Sequence, residues 1–237
     1  MRKLGSNIWV VERDFSFSGT DFGNRMTILR LPSGKLVLHS PVEYSDDLAN
    51  EVNDIGKVAF IITPNNFHGL FSKKWCSVYP KAKYYTAKVS GAGESNVLSA
   101  LRSVDLESSV EIVKIEGISK LNEFAFIHLE SSTLILTDLA FNFDSNVSLW
   151  SKVFFKLNGC YERFGPSRLM KSLIDSPEKL SCSIKTISGY AFNKIVVSHG
   201  NVVDVKAKEK FSAAFSQSEI GFPDKKVKLK FSFSRCG

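Results

Sequence analysis

The run KVAFIIT at residues 57–63 narrows the choice of fold more than any other stretch of the chain. Neighbouring side chains on a strand point to opposite faces. Val58, Ala59, Phe60, Ile61 and Ile62 are apolar at successive positions, so a strand here has no face fit for water. A sheet that holds it has to be covered on both sides. FNKIVVSHG, residues 192–200, reads as a second buried strand.

Other strands are expected at NIWVVER, VEIVKIEG, EFAFIHLES and STLILTDLAF, and MTILRLPSGKLVLHS reads as a hairpin turning at Pro32, Ser33 and Gly34. A helix is expected after Ser45, which suits an N-cap, with Asp46 and Asp47 in its first turn and Gly56 as its stop. FSKKWCSVYP, the stretch around SNVSLWSKVFFKLNG, two segments parted at Pro177, and VVDVKAKEKFSAAFSQ read as further helices. The Ser- and Gly-rich stretch 90–109 reads as loop plus a short helix. This order of elements implies sheets packed inside helices within one domain, a mixed α/β (α+β) architecture.

Composition limits the function classes. The 237 residues carry a formal charge of +7, of which Arg2 and Lys3 supply +2 and the last sixteen residues +4, leaving +1 for residues 4–221. A nucleic-acid partner is therefore not expected of the body of the chain. The terminal KVKLKFSFS alternates apolar and basic or polar residues, which suits an edge strand guarded by lysines, or a surface for a membrane or partner. No stretch approaches the roughly 18 apolar residues of a membrane span. MRKLGSNIWVVERDF lacks the apolar stretch of a signal peptide, so a cytoplasmic protein is expected. Cys76, Cys160, Cys182 and Cys236 form no C-x-x-C pair and are expected to be free thiols.

Polar residues where apolar strands stop are the candidate site. His39 (LVLHSP), His68 (AFIITPNNFHG) and His199 (IVVSHG) hold such positions, and Asp138 in LILTDLAF is placed alike. Loops at strand ends build the sites of sheets wrapped by helices. Imidazoles and a carboxylate brought together would suit zinc, iron or manganese with an open position for water. Each could instead be structural: a histidine bonded to backbone, as expected for His128, or Asp138 closing a turn. Asn65 and Asn66 are expected to close their loop through Asx turns. Arg163 and Arg168 flank a Gly-Pro turn expected to start a helix at Pro166. They could hold a substrate anion or pair with carboxylates of the fold.

FGNRMTILRLPSGKLVLHSPV, PNNFHGLF, STLILTDLAFNF, RFGPSR and VVSHG, in this order across residues 5–215, are similar to a functionally uncharacterised bacterial and plastid branch of the metallo-β-lactamase-fold superfamily. The resemblance implies a four-layer αββα sandwich over residues 1–217, followed by a basic extension at 218–237. Metal-binding members carry His-x-His-x-Asp-His after a strand of the first sheet. Here Pro64 and Asn66 stand at the first two histidines, His68 at the aspartate and Gly69 at the last histidine. A further family histidine falls near Asn122 or Glu123. Asp138 matches the bridging aspartate, His199 the final histidine, and His39 replaces the aspartate of an Asp-x-Gly turn.

So degenerate a motif has too few ligands for two ions at about four each. It implies at most one zinc, iron or manganese ion on His68, Asp138 and His199, with His39 as a fourth ligand or as a support. Two functions follow as expectations. One is a divergent hydrolase, with an ion or with the histidines alone as acid and base, acting on a small-molecule ester, amide or phosphoester. The other is an inactive binding module (a pseudoenzyme) that captures a small molecule or a protein partner.

Overall fold

The computed structural model describes residues 1–88 and 96–216. The expected edge strand in the basic extension lies outside these residues.

The chain opens with β1 (Arg2–Gly5) and β2 (Ile8–Arg13), then a small ribbon of β3 (Ser16–Phe17) and β4 (Thr20–Asp21). The expected hairpin follows as β5 (Asn24–Arg30) and β6 (Lys35–His39), its turn closed by Gly34 at φ +82°. Helix α1 (Asp46–Ile55) is capped by the Ser45 side chain, which accepts from the Leu48 N–H. It leads into β7 (Lys57–Thr63), then α2 (Ser72–Val78), β8 (Lys83–Thr86) and β9 (Asn96–Val97). Gly56 does break α1, but in extended rather than left-handed backbone. A Cβ there would collide with the carbonyl of Gly34. The stretch up to Ser109 forms β9 and two short 3₁₀ turns, Leu98–Ala100 and Ser103–Leu106, in place of a regular helix.

The second half supplies β10 (Val110–Lys114), β11 (Phe124–His128) and β12 (Thr133–Ile135), then β13 (Phe141–Asn142) and α3 (Leu149–Leu157). After these come β14 (Phe164–Gly165), α4 (Arg168–Ser172), α5 (Pro177–Gly189), β15 (Lys194–Val196) and α6 (Ala207–Ala214). Pro177 stands in the first turn of α5 behind the Ser176 cap, as expected. The helix expected at Pro166 begins two residues later. Phe164 and Gly165 stay extended to pair with β13, and Ser167 caps the Met170 N–H.

Two sheets result. One has seven strands in the order β1-β2-β5-β6-β7-β8-β9, the other four in the order β10-β11-β12-β15. Period-two alternation assigns their faces. Leu29, Val37, Phe60 and Ile62 meet Val110, Phe126, Ile135 and Val196 between the sheets. Met26, Ile28, Leu38 and Ile61 face outward under Leu48 and Val52 of α1 and Trp75 of α2. On the far side, Ile127, Leu134 and Ile195 lie under Leu180 and Ile184 of α5 and Phe211 of α6. The layers are thus helix, sheet, sheet, helix, and the apolar run of β7 is covered on both faces for that reason. Among the described residues no helix is long and apolar enough to cross a membrane.

Candidate metal centre

Parallel pairing decides where the loops meet. β6 and β7 run parallel in the first sheet, and β12 and β15 run parallel in the second. Their C-terminal ends therefore face the same edge of the sandwich. Backbone bonds tie the two edges together: Phe124 N–H donates to Pro64 O at 2.9 Å, and Asn66 N–H to Leu121 O at 3.1 Å. His68 follows β7, Asp138 follows β12, and His199 follows β15. One ligand atom from each lies within 4.8 Å of those of the others.

Hydrogen bonds restrict the state of this trio. His199 Nδ1 lies 2.7 Å from the carbonyl oxygen of Gly23, which can only accept, so Nδ1 carries a proton. Nε2 of the same ring faces Asp138 Oδ1 at 3.3 Å. In neutral imidazole this nitrogen is a bare lone pair. Two acceptors do not face each other at that distance without a proton or a metal ion between them. His68 Nε2 lies 3.1 Å from Asp138 Oδ2, and its Nδ1 is 2.7 Å from the Ser40 hydroxyl. That hydroxyl can donate or accept and so matches either tautomer, while the contact with Asp138 needs a proton or an ion at Nε2. Two imidazoles with Nε2 aimed at one carboxylate form a donor set that fits a single zinc, iron or manganese ion.

Charge follows from this geometry. Burial opposes ionisation of Asp138, but the two imidazoles outweigh it and hold its carboxyl well below the usual carboxylate range. Burial likewise opposes the charged form of His68, and Asp138 outweighs it, raising the imidazole above its ordinary value.

The loops are pinned by residues that sequence reasoning did not place in the site. Asn65, fully buried, accepts from Phe67 N–H and His68 N–H through Oδ1, at 2.8 and 2.9 Å, forming the expected Asx turn. Its Nδ2 donates to Asp138 Oδ2 at 2.7 Å and to Thr137 Oγ1 at 2.9 Å. Asn66 forms no such turn and donates instead to Lys120 O. Glu123 is also fully buried and accepts the N–H groups of Thr137, Asp138 and Leu139 at 2.8, 2.8 and 3.0 Å. Burial, and then the charge of Asp138, raise its carboxyl pKa against the pull of those N–H groups. Two signals point to Glu123: the polar residue just before an apolar strand, and the family histidine position expected near Asn122 or Glu123. Arg25, buried, reaches across the sheets to Val197 O and pairs with Glu12, holding the strand end before His199. Gly200, at φ +90°, lets that end lie against Asn142, where a Cβ would collide with backbone.

Other expected residues stand elsewhere. His39 is not gathered with the trio. It is fully buried between the sheets, its ring edge-on to Phe126 at 4.7 Å. Arg163 and Arg168 are exposed and do not line the cavity described below. Arg168 donates to Leu157 O at the end of α3. His128 is bound to Ser131 at 2.7 Å, away from the site. Cys76 and Cys160 are free thiols.

The trio opens into a cavity of about 530 Å³. Six phenylalanines line it, Phe15, Phe17, Phe22, Phe67, Phe71 and Phe141, together with Leu70, Leu121, Leu169, Met170 and Leu173. Asn24 and Ser167 are its other polar residues, and among the described residues no lysine or arginine lines it.

No family model matches the chain, and no curated protein matches it in sequence. Solved structures do match in fold. A metallo-β-lactamase from Pontibacter korlensis is similar at 13% identity and a TM-score of 0.60, over 91% of this chain and 97% of that one. The FIM-1 metallo-β-lactamase from Pseudomonas aeruginosa, in a mono-zinc form, is similar at 9% identity and 0.58, over 92% and 95%. The metal-soaked Flv1 flavodiiron core from Synechocystis sp. PCC6803 is similar at 11% identity and 0.59, over 92% of this chain and 59% of that one. These likenesses establish the metallo-β-lactamase fold of the chain.

Proposed function

We propose that this metallo-β-lactamase-fold chain is a mononuclear metal-dependent hydrolase, with His68, Asp138 and His199 as the metal ligands. The observation that carries the reading is the pairing of His199 Nε2 with Asp138 Oδ1 at 3.3 Å while Nδ1 is committed to the Gly23 carbonyl. That arrangement needs either a second proton on the ring or an ion between the two groups, and an ion suits two imidazoles gathered on one carboxylate. A zinc, iron or manganese ion bound there would lower the pKa of a water and polarise a carbonyl or phosphoryl oxygen. The rest belongs to the chain. Gly23 O and Ser40 Oγ orient the two imidazoles, Asn65 and Glu123 fix the loop of Asp138, and the phenylalanines line the cavity with hydrocarbon. Without an ion, His68, hydrogen-bonded to Ser40 at Nδ1, is the group suited to acid–base work.

A second reading, a metal-free hydrolase or an inactive binding module, has its own support. Pro64, Asn66 and Gly69 offer no metal ligand, and the 3.1 Å contact of His68 with Asp138 satisfies itself with one shared proton. Elemental analysis of protein purified without a metal-binding tag separates the two. The expected result is about one ion per chain, lost in the His68→Ala/His199→Ala double variant. Protein that stays metal-free after incubation with zinc, iron and manganese in turn would sink the metal reading.

A further inference from the structure

We infer that the cavity above the trio binds a neutral, hydrocarbon-rich carbonyl compound, such as an ester, lactone or amide with an aliphatic or aromatic group. The inference rests on the hydrolase reading for the bond that is cleaved, and on the cavity alone for the group that is bound.

Three observations converge. The walls are hydrocarbon: phenylalanine, leucine and methionine from several separate segments, with the polar trio as the main exception. Pockets of roughly 300–1,000 Å³ lined in this way bury most of a small ligand and orient it through a few polar groups. At about 530 Å³, with its imidazoles and carboxylate gathered together, the cavity has that form.

The rim is the second observation. Phe17, Phe67, Leu70 and Leu169 are each between 61% and 67% exposed, yet all four line the same cavity. They come from β3, from the loop after β7, and from α4. Large apolar side chains scattered singly need no explanation, but these gather at one opening. A hydrocarbon ligand would take them out of water.

Charge is the third. Among the described residues the lining has no lysine or arginine, and Asp138 adds a carboxylate. A phosphate or sulfate would meet no lysine or arginine among the described residues, and the Asp138 carboxylate would oppose it. Arg163 and Arg168, the side chains suited to anions, do not line the cavity. The bond at the trio is thus one of a carboxylic acid derivative rather than a phosphoester.

The test is fluorescence titration of the full chain with N-phenyl-1-naphthylamine, a neutral apolar probe, and its displacement by straight-chain methyl esters from butanoate to decanoate. Each methylene that enters the cavity should tighten displacement about fourfold until the space is filled. Alkyl phosphates of equal chain length should displace the probe at least about tenfold more weakly. Phe67→Ser/Leu70→Ser, at exposed positions that leave the core alone, should weaken the longer esters by about tenfold. The His68→Ala/His199→Ala variant should keep the chain-length dependence, so failure of the metal reading leaves this one standing. Failure to bind the probe, displacement indifferent to chain length, or stronger displacement by the phosphates would overturn it. So would binding that appears only after removal of residues 218–237 or on dilution, because the occupant would then be the terminal segment or a second copy.

Discussion

A carbonyl oxygen accepts and never donates, and this alone sets the tautomer of His199. His39 shows what an imidazole does when one buried nitrogen has no partner. Its Nε2 is buried with no hydrogen-bond partner among the described residues, and its ring lies edge-on to Phe126. Burial, with a smaller push from the charge of His68, takes its pKa from 6.5 down to about 3. The folded protein therefore keeps this ring neutral while the unfolded chain takes up a proton below about pH 6.5. Stability from this residue is intact above that pH and drains away as pH falls toward 3. Between pH 7.5 and pH 5 the loss amounts to about 2 kcal/mol. Urea unfolding at both pH values should show His39→Leu losing less than the wild type by that margin. Equal acid sensitivity in the two proteins would place the titration on other groups.

At the scale of elements, α2 is a seven-residue helix with no side-chain cap, too short to stand by itself. It is held by Trp75, which is fully buried, donates Nε1–H to Val42 O at 2.7 Å, and stacks on Tyr79. Trp75→Ala should cost about 3–5 kcal/mol in urea unfolding. Amide exchange should rise first across α2 and its neighbouring loop, which carries His68. A variant that kept its stability would mean that α2 is anchored by something else. The helices that could be read from sequence owe this to local chemistry: Ser45 and the Ser176–Pro177 pair act within one turn of themselves. The buried strands were legible because five successive apolar residues leave no solvent face. The ribbon of β3 and β4, and the two-residue strands β13 and β14, carry no such pattern. The start of α4 was misread for this reason, since Gly165 is held extended by Phe141. The site was half legible in the same sense. His68, Asp138 and His199 stand out as polar residues after apolar runs. Asn65 meets Glu123 and Asp138 across 58 and 73 residues of chain, a separation that no local pattern can reveal.

For the whole molecule, the placement of the trio across the two sheets matters most. His68 extends from the seven-stranded sheet, while Asp138 and His199 extend from the four-stranded one. The sheets are otherwise joined mainly by the non-directional packing of Phe60, Ile62, Phe126 and Val196. A cation at the trio would staple one sheet to the other, with ligands that come together only in the folded chain. Binding free energy then adds directly to folding free energy. At a free metal concentration one hundred times Kd, the native state gains about 2.7 kcal/mol. For a chain of this length that is a rise in Tm of roughly 5–11 °C. Scanning calorimetry of chelator-treated protein, with zinc, iron or manganese added back separately, should show the rise for at least one ion. His68→Ala/His199→Ala should show none. An equal rise in the variant would mean that the ion binds elsewhere. No rise with any ion would leave the sheets held by their apolar interface and the hydrogen bonds of Asn65, Asn66, Phe124 and Arg25, with Asp138 balanced by a protonated histidine.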